Sequence, residues 1–210
     1  MKKTKKILAL ALAAVMLVCT TVAATVAYLQ DTDSVSNTFT IGQVDITLDE
    51  LPVDPYGVPS TSEVVDGETV WTPIPTEELE DFEDRVKSNT YKLIPGHRYV
   101  KDPTVTVGAL SEDAWLFVKI ENDIAPILNN FALASGWTQV GTSDVYYYNT
   151  SVEKNQEIVV FSEFTVNVDA DVADYNGETI VVTAYAIQKD GFDITDEADR
   201  TLMLDALGLN

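Results

Sequence analysis

The sequence predicts an all-β protein, a β-sandwich or jelly roll that carries a long acidic, proline-rich insertion and ends in a short helix. Three observations favour this fold class. Much of the chain alternates apolar and polar residues with the period of two that is typical of strands. The predicted strands follow one another at short spacing with little helix between them. Turn signals such as Pro95-Gly96 and Asn176-Gly177 separate them, as expected for packed antiparallel sheets.

Residues 1–27 have the pattern of a secretory signal peptide. Four lysines fall within the first six residues, and a 12-residue apolar run and a tail of small residues follow them. A transmembrane anchor, the alternative, needs roughly 20 apolar residues. Small residues at Thr25 and Ala27 predict cleavage before Tyr28, with cleavage after Ala24 as the alternative. We therefore expect a secreted protein, located outside the cell or at its surface.

The charge of the chain limits its partners. The 210 residues include 34 acidic and 13 basic ones, and removing the leader with its four lysines takes the formal net charge from −21 to −25. Nucleic acids and anionic membrane surfaces both favour basic proteins, so we expect neither as a partner. Membrane contact is expected only through the uncleaved signal. The single cysteine, Cys19, lies in the leader, which excludes a disulfide framework and a thiolate zinc site in the secreted chain.

The secreted chain, residues 28–210, is expected to form a single domain that begins with an alternating strand. This strand places four residues on one face: Val35, Asn37, Phe39 and Ile41. The alternation shifts by one residue after Gly42, and such a shift turns a strand inside out unless a bulge absorbs it. The pattern therefore predicts two separate strands, 35–41 and 44–48, with a bend at Gly42.

Residues 51–88 form the acidic, proline-rich insertion. They contain five prolines and ten acidic residues, against Arg85 and Lys87 as the only basic ones. This composition predicts a long loop, with a short acidic helix over 77–86. The segment is interpreted either as a solvated surface loop or as an arm that binds cations or a partner.

The remaining chain is predicted to consist of short strands and one terminal helix. Residues 114–121 are apolar on both faces around Trp115, Leu116 and Phe117, which predicts a central strand. A helix should begin at a cap on Thr195 or Asp196 and continue through Leu207, ending at Gly208. Residues 124–134 should form a short helix or an irregular connection. The other predicted strands are 91–94, 99–107, 137–140, 145–148, 158–168 and 180–188.

Catalytic residues are scarce in the secreted chain, and no enzyme activity is predicted. It has no cysteine, and its single histidine, His97, follows a Pro-Gly turn, where a structural role is expected. The H-E-x-x-H motif of zinc peptidases is absent from the sequence. Pairs of carboxylates could serve glycoside hydrolysis, but 34 acidic residues give many pairs with no means of choosing among them.

Calcium is the one candidate ligand among the metals, and no other cofactor is expected. Three aspartates cluster near the turn at 176–177: Asp169, Asp171 and Asp174. Calcium prefers several oxygen ligands on a flexible loop, although the spacing here is not that of an EF-hand. The aspartates at 31 and 33 form a second, smaller cluster. A calcium-dependent or carbohydrate-binding sandwich module is therefore one alternative function.

Several segments, in this order, resemble the TasA/camelysin-like secreted proteins of Gram-positive bacteria. The resemblance lies in the junction AYLQDTD at 27–33 and in NTFTIGQVDITL at 37–48. It continues in YKLIPGHRYVKDP at 91–103, in the strand 115–121 and in AYAIQ at 184–188. Together the matching segments extend over most of the secreted chain except the insertion.

This resemblance implies a jelly-roll fold, export by the general secretory route and cleavage by a signal peptidase of the SipW type. It also implies a structural protein of extracellular matrix or surface fibres, as in biofilms, with further copies of itself as partners. In such fibres residues 28–41 would donate a strand to a neighbouring subunit, whereas pairing within the same monomer is the alternative. Camelysin-like members are also labelled metallo-endopeptidases, but the sequence lacks a metal-binding histidine motif.

Overall fold

A computed structural model describes residues 44–210, and the structural statements below concern that part of the chain. The predicted signal peptide (1–27), the candidate donor strand (28–41) and the bend at Gly42 lie outside the described residues. Strands dominate the described part, and one α-helix lies at its C-terminal end. The prediction of an all-β fold with a short C-terminal helix is therefore confirmed.

The described residues form twelve strands, three short 3-10 turns and one helix. The turns span Thr76–Glu78, Ala125–Ile127 and Ala173–Tyr175, and the helix α1 spans Glu197–Leu207. The strands are β1 (Ile46–Asp49), β2 (Ser60–Val65), β3 (Glu68–Pro73), β4 (Arg98–Val100), β5 (Thr104–Val107), β6 (Ala114–Asn122), β7 (Leu128–Asn129), β8 (Trp137–Gln139), β9 (Val145–Tyr148), β10 (Glu157–Val159), β11 (Glu163–Val166) and β12 (Ile180–Gln188).

Two antiparallel layers enclose the core. One is a four-stranded sheet in the order β12-β6-β9-β8, and the other consists of two three-stranded sheets, β1-β5-β10 and β4-β11-β7. These small sheets continue into each other, because β4 leads into β5 and β10 leads into β11. Two hydrogen bonds bridge the junction, from Lys101 N to Ser162 O (3.1 Å) and from Val160 N to Pro103 O (2.8 Å). The fold is thus a β-sandwich whose second layer is interrupted.

Strand β6 lies at the centre of the molecule, as its sequence predicts. Its even-numbered residues, such as Leu116 and Val118, join the core between the two layers, with Val105 of β5 opposite. Its odd-numbered residues Trp115 and Phe117 face the other way, into a second cluster formed with α1. Because consecutive residues of a strand point to opposite faces, a strand covered on both sides must be apolar throughout.

The helix α1 begins and ends where the sequence places it. The Asp196 carboxylate accepts hydrogen bonds from the N–H groups of Ala198 (2.8 Å) and Asp199 (3.1 Å), which satisfies donors that the first turn leaves open. Gly208 ends the helix in the left-handed conformation, with φ of 70°. Met203 and Leu204 are buried against the β12-β6-β9-β8 sheet.

Three strand predictions differ from the structure. The predicted strand 99–107 is divided into β4 and β5 near Pro103, which cannot donate to a ladder. The predicted strand 158–168 is divided in the same way into β10, which pairs with β5, and β11, which pairs with β4. Residues 91–94 form no strand, because Tyr91 and Leu93 pack on the core through their side chains without a backbone partner strand.

The insertion 51–88 contains an exposed hairpin that the sequence analysis missed. Strands β2 and β3 pair around a two-residue turn, Asp66-Gly67, whose φ angles are 54° and 85°. The prediction of an acidic helix over 77–86 is wrong, since only the single turn Thr76–Glu78 forms there. Acidic residues four apart, such as Glu77 and Asp81, repel each other in a helix.

Candidate functional site

Strand β12 forms one edge of the β12-β6-β9-β8 sheet, and no described strand pairs with its outer side. Asp123 N donates to Thr179 O (2.9 Å) and Lys189 N to Asp113 O (2.8 Å) at the two ends of the ladder. Antiparallel pairs alternate between bonded and non-bonded, so the odd-numbered residues of β12 bond to β6. The even-numbered residues turn their N–H and C=O groups outward: Ile180, Val182, Ala184, Ala186 and Gln188.

Strand β1 forms the nearby edge of the other layer. Gly108 N donates to Asp45 O (2.8 Å), so Ile46, Leu48 and Glu50 turn their backbone groups away from β5. The segment that follows the insertion covers part of this edge. Lys87 Nζ donates to Leu48 O (2.8 Å), and Glu50 exchanges two backbone hydrogen bonds with Val86. The residues around 86–87 thus cover the outer edge of β1 at Leu48 and Glu50.

A groove of about 910 Å³ lies between these two edges. One wall consists of residues 87–93 together with the end of β1, and the other consists of residues 172–173, residues 175–179 and the first residues of β12. Its apolar lining includes Leu48, Leu93, Ile124, Phe164, Ile180 and Val182. The groove thus joins an apolar floor to the outward-pointing backbone groups of Ile180 and Val182.

Arg85 anchors the wall that carries residues 87–93. Its guanidinium donates to Asp49 Oδ1 (2.7 Å), to Asp102 Oδ2 (2.9 Å) and to Thr104 Oγ1 (3.0 Å). All three charged side chains are at most 20% exposed, so solvent screens these contacts only in part. The Asp102 carboxylate also accepts from Leu51 N (2.8 Å), which ties both ends of the insertion to one point.

A second buried ion pair lies beside this anchor. Lys101 Nζ is 2.6 Å from Glu50 Oε2, and the two side chains are 11% and 5% exposed. Asn89 donates to the other Glu50 oxygen (2.9 Å) and to Leu51 O (2.8 Å). Burial raises the pKa of the Tyr91 hydroxyl, and the negative charge of Glu50 raises it further. The polar groups of this wall are therefore bonded to one another and hold it rigid.

Among the described residues, the groove contains lysines in an otherwise acidic protein. Lys87, Lys92 and Lys101 line it together with Asp49, Glu50 and Glu178, and Lys101 is paired with Glu50, so Lys87 and Lys92 are the lysines that could meet an incoming chain. An apolar floor, an open strand edge and these two lysines are suited to an extended peptide that carries acidic residues. Backbone hydrogen bonds to the edge would supply affinity, and the apolar floor would select alternate side chains.

The structure does not bring the three calcium candidates together around one point. Asp171 Oδ1 accepts from Ala173 N (3.1 Å), an ordinary local turn, and Asp169 N donates to Asn167 Oδ1 (3.0 Å). Within residues 44–210 no three Asp, Glu or His side chains converge in a way that could hold a metal ion, and this includes Asp174. The neighbouring residues 172–173 and 175–177 line the groove instead. Calcium binding stays a prediction.

His97 makes a structural contact. Its Nε2 lies 2.8 Å from Tyr56 O, an acceptor, so this nitrogen carries the proton. The imidazole also packs edge-on against the buried Tyr99 ring, with 4.6 Å between ring centroids. It thereby ties the start of the insertion to the second layer. The absence of enzyme activity stays a prediction.

The functional residues predicted from the sequence lie partly before the described residues, and none of these predictions indicated the groove. The cleavage-site residues Thr25, Ala27 and Tyr28 and the donor residues of 35–41 precede Val44, the first described residue. The groove has no sequence motif because its lining comes from six separate parts of the chain, from the end of β1 to the start of β12. One signal was present: Arg85 and Lys87 are the only bases in a segment with ten acids, as expected if each has a defined acidic or backbone partner.

No protein-family model, curated protein or solved structure matches the chain. Within residues 44–210, no helix combines the length and the hydrophobicity needed to cross a bilayer.

Proposed function

We propose that this chain is a secreted structural protein that assembles into matrix or surface fibres by donating residues 28–41 to another copy. The acceptor is the groove between β1 and β12. The single observation that carries the proposal is the open edge of β12 beside an apolar floor. An unpaired strand edge can accept a further strand. The resemblance described above implies that residues 28–41, at the start of the secreted chain, are the strand that is donated.

The donor strand is long enough to pass through the groove, which reaches Ile180–Val182 of β12, and to continue along the rest of that edge. Fourteen residues extend over roughly 46 Å and the nine residues of β12 over about 30 Å, at about 3.3 Å per residue. Val35, Asn37, Phe39 and Ile41 fall on one face of the donor, where they would meet the groove floor, and three of these four are apolar. The even-numbered residues between them, Ser36, Thr38 and Thr40, would face solvent.

Charge supports the same pairing. The donor segment carries Asp31 and Asp33 and no basic residue, whereas Lys87 and Lys92 lie on the groove rim. Attraction between them would orient the incoming strand, as complementary charges at interfaces do.

The strand pairing supports a jelly roll as the form of this sandwich. The pairs β8–β9, β7–β11 and β6–β12 are nested in the sequence around the β8–β9 connection. Nested pairs arise when a two-stranded ribbon folds over itself, which is how jelly rolls and Greek keys are wound. We therefore propose a jelly roll for the described strands, while a single domain over 28–210 stays a prediction from the sequence.

Electron microscopy of two purified chains tests the proposal. Residues 28–210 should form filaments, and residues 42–210, which lack the donor, should not. Circular dichroism of both chains checks that the shorter one is folded. If both stay monomeric across a range of salt and pH, strand donation is excluded as the assembly mechanism.

A capping experiment separates donation to a neighbour from pairing within one monomer. The 42–210 chain retains the acceptor groove but has no strand to give. Added in small amounts to growing 28–210 filaments, it should occupy the filament end and shorten the filaments. If the donor pairs within its own monomer, the added chain will leave filament length unchanged.

A further inference from the structure

We propose that the exposed hairpin in the insertion is a second self-association site, where the β3 strands of two copies pair antiparallel about a twofold axis. This contact lies outside the groove and does not depend on the donor strand. It would link subunits laterally, whereas strand donation would link them end to end.

The backbone of β3 is available for this pairing. Ile74 N donates to Pro59 O (2.9 Å), and the pairs bonded across the hairpin alternate from there: 61–72, 63–70 and 65–68. Thr69 and Trp71 therefore turn their N–H and C=O groups to the outer edge, and no described strand covers them. Isolated two-stranded hairpins are marginal in water, so a further strand on this edge would stabilise the arm.

The side chains of the hairpin suit contact with an acidic protein. Opposite residues share a face, and one face contains only uncharged residues, namely Ser60, Ser62, Val64, Thr69, Trp71 and Pro73. Val64 is 74% exposed and Trp71 37%. On a chain with a formal net charge of −25 in its secreted form, an uncharged face is where a second copy meets least repulsion.

The two edges of the hairpin differ in what they would bring together. If two β3 strands pair with Val70 on the twofold axis, Thr69 of each copy lies opposite Trp71 of the other. The outward N–H and C=O groups of Thr69 and Trp71 on both strands then form hydrogen bonds across the contact. The two Val70 side chains then meet, and Glu68 lies opposite Thr72. Pairing through β2 in the equivalent register places Glu63 against Glu63, and like charges directly opposite are destabilising. The β3 edge is therefore the one that associates.

Cysteine cross-linking of the 28–210 chain tests this arrangement. The secreted chain has no cysteine of its own, and a Val70→Cys pair would sit at a non-hydrogen-bonded position with Cα atoms about 4.5 Å apart, within disulfide range. Glu63→Cys is the matched control, on the same face of the other strand. Under mild oxidation the first variant should form covalent dimers at least about tenfold faster than the second, because pairing raises the local thiol concentration.

A proline variant tests the backbone contribution. Thr69→Pro removes an outward N–H without breaking the hairpin ladder, and it should abolish dimer formation in the Val70→Cys background. Ser62→Pro, which removes an outward N–H from β2, should leave it unchanged. Equal cross-linking of both cysteine variants, or cross-linking that survives Thr69→Pro, would overturn the proposal. Cross-linking through the hairpin does not depend on strand donation, so it should be observed whether or not removal of residues 28–41 abolishes fibres. The two proposals can therefore be rejected independently.

Discussion

Arg85 is one of several residues that connect the insertion to the sandwich. Its guanidinium reaches the ends of β1 and β5 through Asp49, Asp102 and Thr104. A planar guanidinium can donate to several acceptors in fixed directions, which an ammonium group cannot do. The residues that follow, 87–93, form a wall of the groove, which Arg85 positions together with the Glu50–Val86 backbone pair and the hydrogen bonds of Lys87 and Asn89.

Replacing Arg85 should therefore destabilise the protein. Arg85→Ala leaves two partly buried carboxylates without their partner, and we expect the free energy of unfolding to fall by about 2–3 kcal/mol. Urea denaturation measures this change. Arg98→Ala is the control, because the Arg98–Glu163 pair is 68% and 50% exposed and should contribute less than about 1 kcal/mol. Equal losses in the two variants would contradict the anchoring role.

Tyr91 should make the protein sensitive to alkaline pH. Burial raises the pKa of its hydroxyl above the value of about 10 expected in the unfolded chain, and Glu50 and Asp102 add to the effect. Below pH 10 both states hold the proton, and its contribution to stability is complete. Above pH 10 only the unfolded chain releases it, so stability falls by about 1.4 kcal/mol per pH unit.

Tyr91→Phe provides the test, because it removes the titrating group. In urea denaturation between pH 9 and pH 11.5, the free energy of unfolding should fall less steeply with pH for the variant than for the parent protein. The two slopes should differ by about 1.4 kcal/mol per pH unit, which corresponds to one proton. At neutral pH it should lose only about 1 kcal/mol, for the hydrogen bond to Val100 O. An unchanged slope would show that the hydroxyl ionises freely in the folded state.

At the scale of elements, the sequence predicts best those segments whose limits carry a local signal. Strand β12 and helix α1 were predicted with the bounds observed, and β6 to within one residue. Asn176-Gly177, Asp196 and Gly208 mark the limits of β12 and α1 locally. Of the two strand breaks, the one between β4 and β5 has a local signal in Pro103, whereas the one between β10 and β11 depends on how the paired strands bend together. The groove depends on segments far apart in the chain.

The open edge of β12 leads to a prediction of its own. Ala184 turns its N–H away from β6, so Ala184→Pro removes no bond of the ladder and should change the free energy of unfolding by less than about 1.5 kcal/mol. It should nevertheless block filament growth of the 28–210 chain, because a strand cannot add to an edge that lacks this donor. Electron microscopy and urea denaturation are the two measurements.

Its neighbour supplies the contrast. Thr183 N–H faces β6, and Thr183→Pro should cost about 3 kcal/mol or more, since it breaks the ladder. If Ala184→Pro proves as destabilising as Thr183→Pro, the assignment of inward and outward groups on β12 is wrong. If it is stable and still forms filaments, the β12 edge is not the acceptor.

At the scale of the whole molecule, charge opposes the associations that we propose. The secreted chain carries a formal net charge of −25, and most of its surface repels another copy. Local features run against this repulsion: the lysines of the groove rim and the uncharged face of the hairpin. The groove attracts an acidic donor strand over short distances, whereas the repulsion acts between whole subunits.

Salt should therefore accelerate filament growth. At 0.1 M ionic strength charges more than about 10 Å apart are largely screened, which removes most of the repulsion between subunits but leaves close pairs in the groove partly intact. We expect the lag before light scattering rises to shorten as sodium chloride increases from about 10 mM to about 100 mM. Divalent cations and mild acid should act in the same direction, because both reduce the negative charge.

Lys87→Gln weakens the local attraction between the groove and the donor strand, and it should therefore lengthen the lag at every salt concentration. Filaments that grow fastest at low salt and neutral pH would contradict the prediction, because they would show that attraction in the groove outweighs the repulsion between subunits.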